Sequence, residues 1–299
     1  MNHAITKYVG RFAPSPTGPL HFGSLVAAVA SYLDARTHGG KWLVRIEDID
    51  TARCNPHFAG EILATLAAFG LQWDGVVMIQ SKRNPHYQSA LDQLIGKKLT
   101  YACACSRKEI ADSGTAGIEG PVYPGTCREK RVPTAGNAIR VRTTREEIRF
   151  SDRVQGECVQ CLEHEIGDFV LMRRDGLFAY QLAVVVDDAD QGVTHVVRGA
   201  DLLDSTARQI HLQRLLELPT PSYLHFPVVT NDAGQKLSKQ TLAPAISTTD
   251  ACLSLRDALS HLGQPLPDLG PATPSALLRA AAQRWNPDAI PKPRAHGNG

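Results

Sequence analysis

The stretch "FAPSPTGPLHFGSLVAAVASYLDARTHGG", residues 12–40, joins an irregular loop directly to a helix. Its first half is rich in proline and glycine, and these residues oppose helix formation. Its second half repeats apolar side chains at helical spacing from Phe22 to Leu33, and Gly39 and Gly40 follow as a stop signal. The stretch therefore predicts a loop that leads into the first turn of an apolar helix.

The junction between this loop and the helix carries His21, Gly23 and Ser24, and a strand is predicted before it at residues 7–13. The N–H groups in the first turn of a helix lack partners, and the helix dipole favours an anion there. Gly23 would let a phosphate approach the backbone closely, and His21 would donate a hydrogen bond to a phosphate oxygen or a ribose. The junction alone also fits a capped core helix with a chance histidine, so both interpretations stay open.

Strand and helix patterns alternate along the rest of the chain. Apolar runs predict further strands at residues 41–48 and 178–188, and the second run is so continuously apolar that we expect it to be buried on both faces. Asn-Pro start signals and amphipathic spacing predict helices at residues 55–70 and 84–98, another at about 205–218, and two short ones after residue 246. Such alternation predicts an α/β protein with helices on both faces of a parallel sheet.

The composition fits a protein with a substantial core. Of its 299 residues 43% are hydrophobic, and its net charge of +2 is not the basic excess that alone indicates nucleic-acid binding. No segment has the pattern of a signal peptide or the length of a membrane span. We therefore expect a cytoplasmic protein without a membrane span, whose seven cysteines are thiols, metal ligands or catalytic groups rather than disulfides.

Two charged segments lie where ligands often bind in such sheets. "VRIEDID", residues 44–50, places Glu47 and other carboxylates at the end of a strand, where they suit an ammonium group or a ribose hydroxyl. "NDAGQKLSKQ", residues 231–240, presents Lys236 and Lys239 after a turn signal, and two ammonium groups can neutralise a phosphoryl group in its transition state. Each segment alone also fits an ordinary solvated surface.

Together, the motifs "PSPTGPLHFGS", "RIEDID" and "KLSKQ" resemble the class I aminoacyl-tRNA synthetases in order and spacing. The similarity is closest to the glutamyl-tRNA synthetase catalytic domain and extends over residues 8–240. "HFGS" corresponds to the signature of that family that begins His-x-Gly, and "KLSKQ" to its Lys-x-Ser-Lys loop. The resemblance implies a Rossmann-like nucleotide-binding fold with a zinc-binding insertion and a small helical C-terminal region.

The number of residues after the last motif indicates which branch of this family the chain resembles. Fewer than 60 residues follow "KLSKQ", whereas glutamyl-tRNA synthetases carry a further module that reads the anticodon. The chain therefore resembles the truncated paralogues that attach glutamate to queuosine in the anticodon of tRNA(Asp). The resemblance implies ATP with Mg²⁺, L-glutamate and queuosine-containing tRNA(Asp) as ligands, and we expect a monomer.

The resemblance also assigns roles to individual residues. The catalytic positions that it implies are His21, Gly23, Lys236 and Lys239. ATP would bind at His21, Gly23, Ser24 and Lys239. Glutamate would bind at Arg11, Ser15, Glu47, Tyr180 and Arg198. The chemistry agrees, because arginine grips a carboxylate with two hydrogen bonds and glutamate offers two carboxylates and one ammonium group.

Three cysteines suggest a metal site in a segment that has little apolar content. Cys103, Cys105 and Cys127 flank a run rich in glycine and proline, and a metal could order a segment that lacks its own core. Three thiolates suit tetrahedral zinc, but the residues alone leave the fourth ligand open. The spacing Cys-x-Cys followed by Tyr-x₃-Cys resembles the queuosine-directed family, which implies one zinc per chain with Tyr123 as the fourth ligand.

A second group with ligand-like spacing competes with this site. "ECVQCLEH" contains Cys158, Cys161 and His164, which also fit a strand or loop that carries two reduced thiols. A mixed site in which one of these thiols replaces Tyr123 stays open.

The composition changes and the resemblance divide the chain into five parts. We predict two halves of a catalytic domain at 1–100 and 136–246, a zinc-binding insertion at 101–135, a helical region at 247–290 and a disordered tail at 291–299. Two other functions stay open, namely adenylation of another small carboxylic acid and binding of glutamate or tRNA without catalysis.

Overall fold

The structure, a computed structural model, describes residues 7–230, 244–268 and 272–292. In these residues the strands are β1 (Val9–Phe12), β2 (Lys41–Ile46), β3 (Met78–Ile79), β4 (Thr100–Cys103), β5 (Ala116–Gly117), β6 (Gly120–Pro121), β7 (Ala138–Val141), β8 (Glu147–Asp152), β9 (Gly156–Cys161), β10 (Val170–Met172), β11 (His195–Gly199) and β12 (Ser222–Phe226). The α-helices are α1 (Phe22–Thr37), α2 (Pro56–Ala68), α3 (Asn84–Gly96), α4 (Arg107–Ser113), α5 (Leu162–Glu165), α6 (Tyr180–Asp190), α7 (Ser205–Leu216), α8 (Ala251–His261) and α9 (Pro274–Ala282).

A mostly parallel sheet forms the centre of the fold. β1 pairs with β2 and β2 with β3, while β11, β12 and β8 form a second parallel group with β9 antiparallel at its edge. The N–H of Thr194 donates to the carbonyl oxygen of Val9 at 2.9 Å and joins the two groups. The order β3-β2-β1-β11-β12 is that of a Rossmann-like nucleotide-binding fold, which confirms the predicted fold class.

Helices cover both faces of this sheet, as the alternating pattern predicts. One apolar core lies between the sheet and α1, α2, α8 and α9. A second core lies between the sheet and α3, α6 and α7, and it extends into β4, β7 and β10. None of the helices in the described residues is long and apolar enough to cross a membrane.

The helix predicted after the loop rich in proline and glycine is present in the structure. α1 begins at Phe22 and ends at Thr37, and Gly39 follows with a φ of 60°, a conformation that glycine adopts at little cost. α2 also follows the prediction, because the side chain of Asn55 accepts the N–H of His57 at 2.9 Å. The second Asn-Pro signal works differently, since α3 begins at the asparagine itself and no side chain caps it.

The strand predicted at residues 178–188 is wrong, because the structure forms a helix there. α6 begins at Tyr180, and every residue from Gln181 to Asp188 is buried. A helix that is covered on all sides reads as a continuous apolar run, and this pattern cannot be told from that of a doubly buried strand.

The segment between α3 and α6 contributes a separate small sheet. β4, β7 and β10 pair antiparallel, and β5 and β6 form a short hairpin. The buried cluster in this segment consists of Cys103, Tyr123 and Cys127 and is much smaller than the two main cores. The five domain boundaries stay predictions.

One buried carboxylate joins four parts of the chain. Asp34 on α1 accepts hydrogen bonds from Tyr8, from both Nη atoms of Arg153 at 2.6 and 2.9 Å, and from the indole N–H of Trp285 at 2.8 Å. Burial alone would raise the pKa of Asp34, but these donors outweigh burial and hold that pKa below its ordinary value. Asp34 is therefore ionised and ties β1, α1 and the residues after β8 to the region after α9.

Candidate functional site

The first turn of α1 opens towards the carboxyl end of the sheet. His21 caps the helix, and its Nδ1 accepts the N–H of Ser24 at 3.3 Å. A ring that accepts at Nδ1 in its neutral form carries its proton on Nε2 and can donate from that atom. His21 therefore caps the helix and can also donate a hydrogen bond to a phosphate oxygen. The two interpretations of the junction, a capped core helix and a phosphate site, are compatible.

A cleft of about 820 Å³ lies beyond the carboxyl ends of β1, β2, β11 and β12. Eight of the residues predicted for the site line it: Arg11, Ser15, His21, Gly23, Ser24, Glu47, Tyr180 and Arg198. Ligands bind at this edge in open α/β sheets because the strand order reverses there and leaves a crevice. The structure thus brings together side chains that are almost 190 residues apart in the chain, such as Arg11 and Arg198.

Arg11 enters the cleft from the end of β1 and is held by Asp188 of α6. Its Nε and Nη2 donate to the two carboxylate oxygens at 3.2 and 3.4 Å. Arg45 also contacts Asp188, with 2.8 Å between Nη1 and Oδ1. Burial alone would raise the pKa of Asp188, but the two guanidinium groups outweigh burial and lower it. Asp188 is therefore a fixed negative charge that orients Arg11.

Glu47 lies at the end of β2 beside the same charged groups. Its Oε1 is 3.2 Å from Nη2 of Arg45, a side chain that is fully buried. Burial raises the pKa of Glu47 in spite of the attraction of Arg45 and Arg11. An ammonium group bound in the cleft would favour the ionised form, so this carboxylate suits a cationic ligand.

Arg198 lies on β11 and lines the same cleft as Arg11. Its Nε donates to Nε2 of His225 at 2.9 Å, and its Nη2 donates to Oγ1 of Thr206 at 2.9 Å. Nη1 is buried and has no hydrogen-bond partner in the part of the chain that the structure describes. Arg198 lines the cleft, and a carboxylate bound there would supply a counterion for its guanidinium group.

Tyr180 forms a wall of the cleft at the start of α6. Burial raises the pKa of Tyr180, so the phenol is neutral and is a hydrogen-bonding group rather than a charge.

The predicted lysine loop lies outside the described residues. Lys236 and Lys239 both fall in the undescribed segment 231–243, so their positions relative to the cleft stay predictions.

The three cysteines of the predicted metal site lie together. The sulfur atoms of Cys103, Cys105 and Cys127 are all within 4.8 Å of one another. The hydroxyl of Tyr123 is 3.3 Å from the sulfur of Cys103 and 3.8 Å from that of Cys105, and it accepts the N–H of Cys127 at 2.9 Å. Three thiols and one phenol around a single point fit the four ligands of a structural zinc site.

Electrostatics in the cysteine cluster favour one negative charge. Burial alone would raise the pKa of Cys103, but its hydrogen bonds with Tyr123 and Arg140 outweigh burial and lower the pKa to about 7. Burial, with a hydrogen bond to Cys127, raises the pKa of Cys105 to about 11. The protein groups thus favour the thiolate of Cys103 and disfavour that of Cys105, and a bound cation would stabilise both.

The rival cysteines do not join a metal site within the described residues. The group of three or more metal-binding side chains found there does not include Cys158 or Cys161. Their thiols instead donate to the carbonyl oxygens of Gly156 and Arg145, at 3.6 Å in both contacts. The structure therefore favours the Cys103 cluster over the rival group.

The buried residues that hold Arg11 and Arg198 in place were not predicted from the sequence. Asp188 lies in the run that was predicted to be a strand, and a buried carboxylate at the end of an apolar run was the available signal. His225 and Asp152 contact each other at 2.6 Å across 73 residues of sequence, and no local pattern marks such a pair.

The chain is similar in sequence to known proteins. A family model described as "tRNA synthetases class I (E and Q), catalytic domain" matches residues 7–259. A protein of Thiobacillus denitrificans named glutamyl-Q tRNA(Asp) synthetase is 55% identical over 285 residues, which cover 95% of each chain. A protein of Dechloromonas aromatica with the same name is 58% identical over 292 residues, which cover 96% of this chain and 97% of that one.

Solved structures agree with the fold. The crystal structure of a glutamate tRNA ligase from Elizabethkingia meningosepticum, in complex with its amino acid, has a TM-score of 0.80 and 22% sequence identity to this chain. The match covers 96% of this chain and 66% of that one. At this identity the likeness supports the fold.

Proposed function

This chain belongs to the class I tRNA synthetases of the E and Q group, which are ligases, and from this premise we propose that it activates L-glutamate with ATP and transfers it to queuosine in tRNA(Asp). The proposal has three parts, namely the amino acid, the activation step and the acceptor.

The amino acid is inferred from two buried guanidinium groups in one cleft, and this observation carries the proposal. Arg11 and Arg198 would each hold one carboxylate of glutamate, and Glu47 would hold the ammonium group. Arg198 supports this assignment, because its Nε and Nη2 are held by the neutral side chains of His225 and Thr206 rather than by a carboxylate. A ligand carboxylate would supply a counterion to Arg198, whereas Arg11 already has Asp188.

Activation would take place at the first turn of α1. ATP would lie against His21, Gly23 and Ser24, where backbone N–H groups and the helix dipole favour phosphate. An α-carboxylate oxygen of glutamate attacks the α-phosphorus, the bond to the bridging oxygen breaks, and pyrophosphate leaves. Lys236 and Lys239 would neutralise the developing charge. Mg²⁺ would accompany the phosphates of ATP.

Transfer would form an ester between glutamate and the acceptor. A hydroxyl of the queuosine cis-diol attacks the carbonyl carbon of the mixed anhydride, the carbon–oxygen bond to phosphate breaks, and AMP leaves with the bonding electrons while the hydroxyl loses its proton. The name of the similar proteins supports this acceptor. Bases in a single-stranded anticodon loop can be splayed out and bound individually.

Zinc would have a structural role in this proposal. Cys103, Cys105, Tyr123 and Cys127 would hold one ion, and the ion would supply the order that the insertion's small apolar cluster cannot provide.

Pyrophosphate exchange tests the first two parts. We expect L-glutamate to support exchange between ATP and labelled pyrophosphate without tRNA, because the residues assigned to glutamate all line one cleft. Glutamine, aspartate and small mono- and dicarboxylic acids serve as controls. Exchange with another carboxylic acid but not with glutamate would favour a different adenylating enzyme, and no exchange with any of them would favour a binding protein.

The acceptor is tested with tRNA(Asp) whose terminal adenosine has been removed. We expect labelled glutamate to attach to this tRNA when it contains queuosine and not when it is unmodified. Loss of labelling on removal of the terminal adenosine would instead assign the ester to the 3′ end and overturn this part of the proposal.

A further inference from the structure

Three buried side chains form a chain of hydrogen bonds behind the cleft. Asp152 at the end of β8, His225 on β12 and Arg198 on β11 are 3%, 0% and 5% exposed. Nδ1 of His225 is 2.6 Å from Oδ2 of Asp152, and Nε2 of His225 is 2.9 Å from Nε of Arg198. The chain of contacts runs from the sheet interior to a residue that lines the cleft.

These contacts determine where the proton of His225 lies. The Nε of Arg198 is always a donor, so Nε2 of His225 must accept and the proton must be on Nδ1. Asp152 accepts the hydrogen bond of that Nδ1–H group and also accepts the N–H groups of Val154 and Gln155 at 3.0 and 2.9 Å, so it is fixed in place. Burial, together with the nearby charge of Arg198, lowers the pKa of His225 to about 4, which keeps the ring neutral at neutral pH.

The same contacts restrict the guanidinium group of Arg198. His225 holds its Nε, while Thr206 and the carbonyl oxygen of Leu202 hold its Nη2 at 2.9 and 3.2 Å. Thr206 is also 3.3 Å from Nε2 of His225, so its hydroxyl can donate to the same nitrogen. Because Nε and Nη2 are both held, the planar guanidinium group of Arg198 has a fixed orientation.

We propose that His225 is a positioning residue for the amino-acid pocket, because it accepts Nε–H of Arg198 in the tautomer that Asp152 selects and so orients the guanidinium group of Arg198, which lines the cleft, for a ligand carboxylate. This role rests on the proposed function, since the carboxylate is that of glutamate. Loss of the acceptor would let the guanidinium group rotate about its remaining contacts. The affinity for glutamate would fall, while the ATP site at α1 would keep its groups.

Two amide variants separate positioning from simple packing. In His225→Gln the longer side chain places its carbonyl oxygen near the position of Nε2, where it can accept from Arg198. In His225→Asn the shorter side chain reaches only the position of Nδ1, so it can donate to Asp152 but leaves Arg198 without this acceptor. Urea unfolding and circular dichroism establish that each variant is folded before its kinetics are compared.

Pyrophosphate exchange gives the readout. We expect His225→Asn to raise the KM for glutamate about tenfold or more, as for loss of a hydrogen bond to a charged group, and to leave the KM for ATP unchanged. We expect His225→Gln to stay within about threefold of the wild type for both substrates. Equal glutamate KM values in the two variants would overturn the proposal, and so would a rise in the ATP KM that matches the rise for glutamate.

The tautomer is measured on the unmodified protein and does not depend on activity. In long-range ¹H–¹⁵N spectra we expect the His225 ring to have its proton on Nδ1 and a bare Nε2, and His225→Gln assigns the signal among the 11 histidines. A proton on Nε2 would overturn the inference even if glutamate is activated. The expected tautomer in a protein that does not activate glutamate would instead overturn the proposed function and leave the Arg198 contact intact.

Discussion

The amino-acid pocket and the cysteine cluster both gather groups from distant parts of the chain, but different forces hold them. Each arginine of the pocket has its own buried carboxylate or imidazole partner, and these partners belong to strands and helices that enclose two large cores. The cysteine cluster lies in a small apolar group, where one thiolate is stabilised and a second is disfavoured.

This difference indicates what holds the side chains of each site in place. The pocket is preorganised by the protein, because buried hydrogen-bond partners hold both arginines in place before a ligand binds. The cysteine cluster would be completed by the proposed zinc ion, because metal binding would stabilise its thiolates. Substitution in the pocket should therefore affect chemistry more than order, and substitution in the cluster should do the reverse.

The largest expected effect is that of Arg198→Ala on glutamate activation. Removal of one partner from a buried charge pair costs about 4 kcal/mol, so we expect kcat/KM for glutamate in pyrophosphate exchange to fall roughly a thousandfold. The unfolding transition in urea should show a folded protein.

Arg149→Ala is the matched control for this prediction. Arg149 lies on β8, its side chain is 66% exposed, and it pairs with Glu147 on the surface. We expect no measurable change in exchange because exposed ion pairs contribute little. A fall below tenfold in Arg198→Ala would contradict the view that the pocket depends on this charge.

The next effect concerns the pH dependence of stability. Burial lowers the pKa of His225 from 6.5 to about 4, so the unfolded chain binds more protons than the folded one between these pH values. The stabilisation by neutral His225 is complete above about pH 6.5. As the pH falls towards 4, the free energy of unfolding decreases by about 3 kcal/mol through this group. The free energy of unfolding in urea, measured at pH 7 and pH 4.5, checks the sign.

Comparison with His225→Gln isolates this group from the other histidines. Asp152, whose pKa is held below its ordinary value by His225 and backbone N–H groups in spite of burial, stays ionised over the same interval. We expect the wild type to lose more stability than the variant on acidification. Parallel losses would mean that His225 is already charged in the folded protein.

The smallest expected effect on activation comes from the cysteine cluster. We expect the wild type to contain about one zinc per chain and Cys103→Ser to lose it, with faster amide hydrogen exchange in the insertion and unchanged protection in α1. Glutamate exchange should fall by roughly tenfold or less, because none of the cluster residues lines the cleft.

Cys158→Ser provides the control for the zinc prediction. Its thiol contacts only a nearby carbonyl oxygen among the contacts described, so elemental analysis should find the same zinc content as in the wild type. Zinc that survives Cys103→Ser and disappears in Cys158→Ser would overturn the choice of ligands.

Much of this organisation is predictable from sequence because it depends on local chemistry. The loop before α1, the cap at Asn55 and the strands on either side of α1 follow from proline, glycine and apolar spacing. Residues at the carboxyl ends of strands also meet in one cleft, as the parallel sheet requires. The grouping of the eight described pocket residues was implied by the resemblance to the glutamyl-tRNA synthetases, and all eight line the cleft.

The rest depends on contacts between distant parts of the chain. The sequence of α6 has the pattern of a strand because neighbouring elements bury every side of the helix, which removes the helical periodicity of apolar residues. Asp188 compensates Arg11 from 177 positions away, and His225 meets Asp152 across 73. Such pairs are set by the packing of α6, β8 and β12, which one sequence does not specify locally.

The carboxylate of Asp34 has a consequence for the order in which the protein is made. Because synthesis runs from the N-terminal side, Tyr8 and Asp34 leave the ribosome before Arg153, and Trp285 follows Asp34 by 251 residues. Until Trp285 arrives, Asp34 lacks one of its donors, and α8 and α9 do not yet cover α1. The nascent chain therefore completes the core around α1 only after the region that follows α9 has been made.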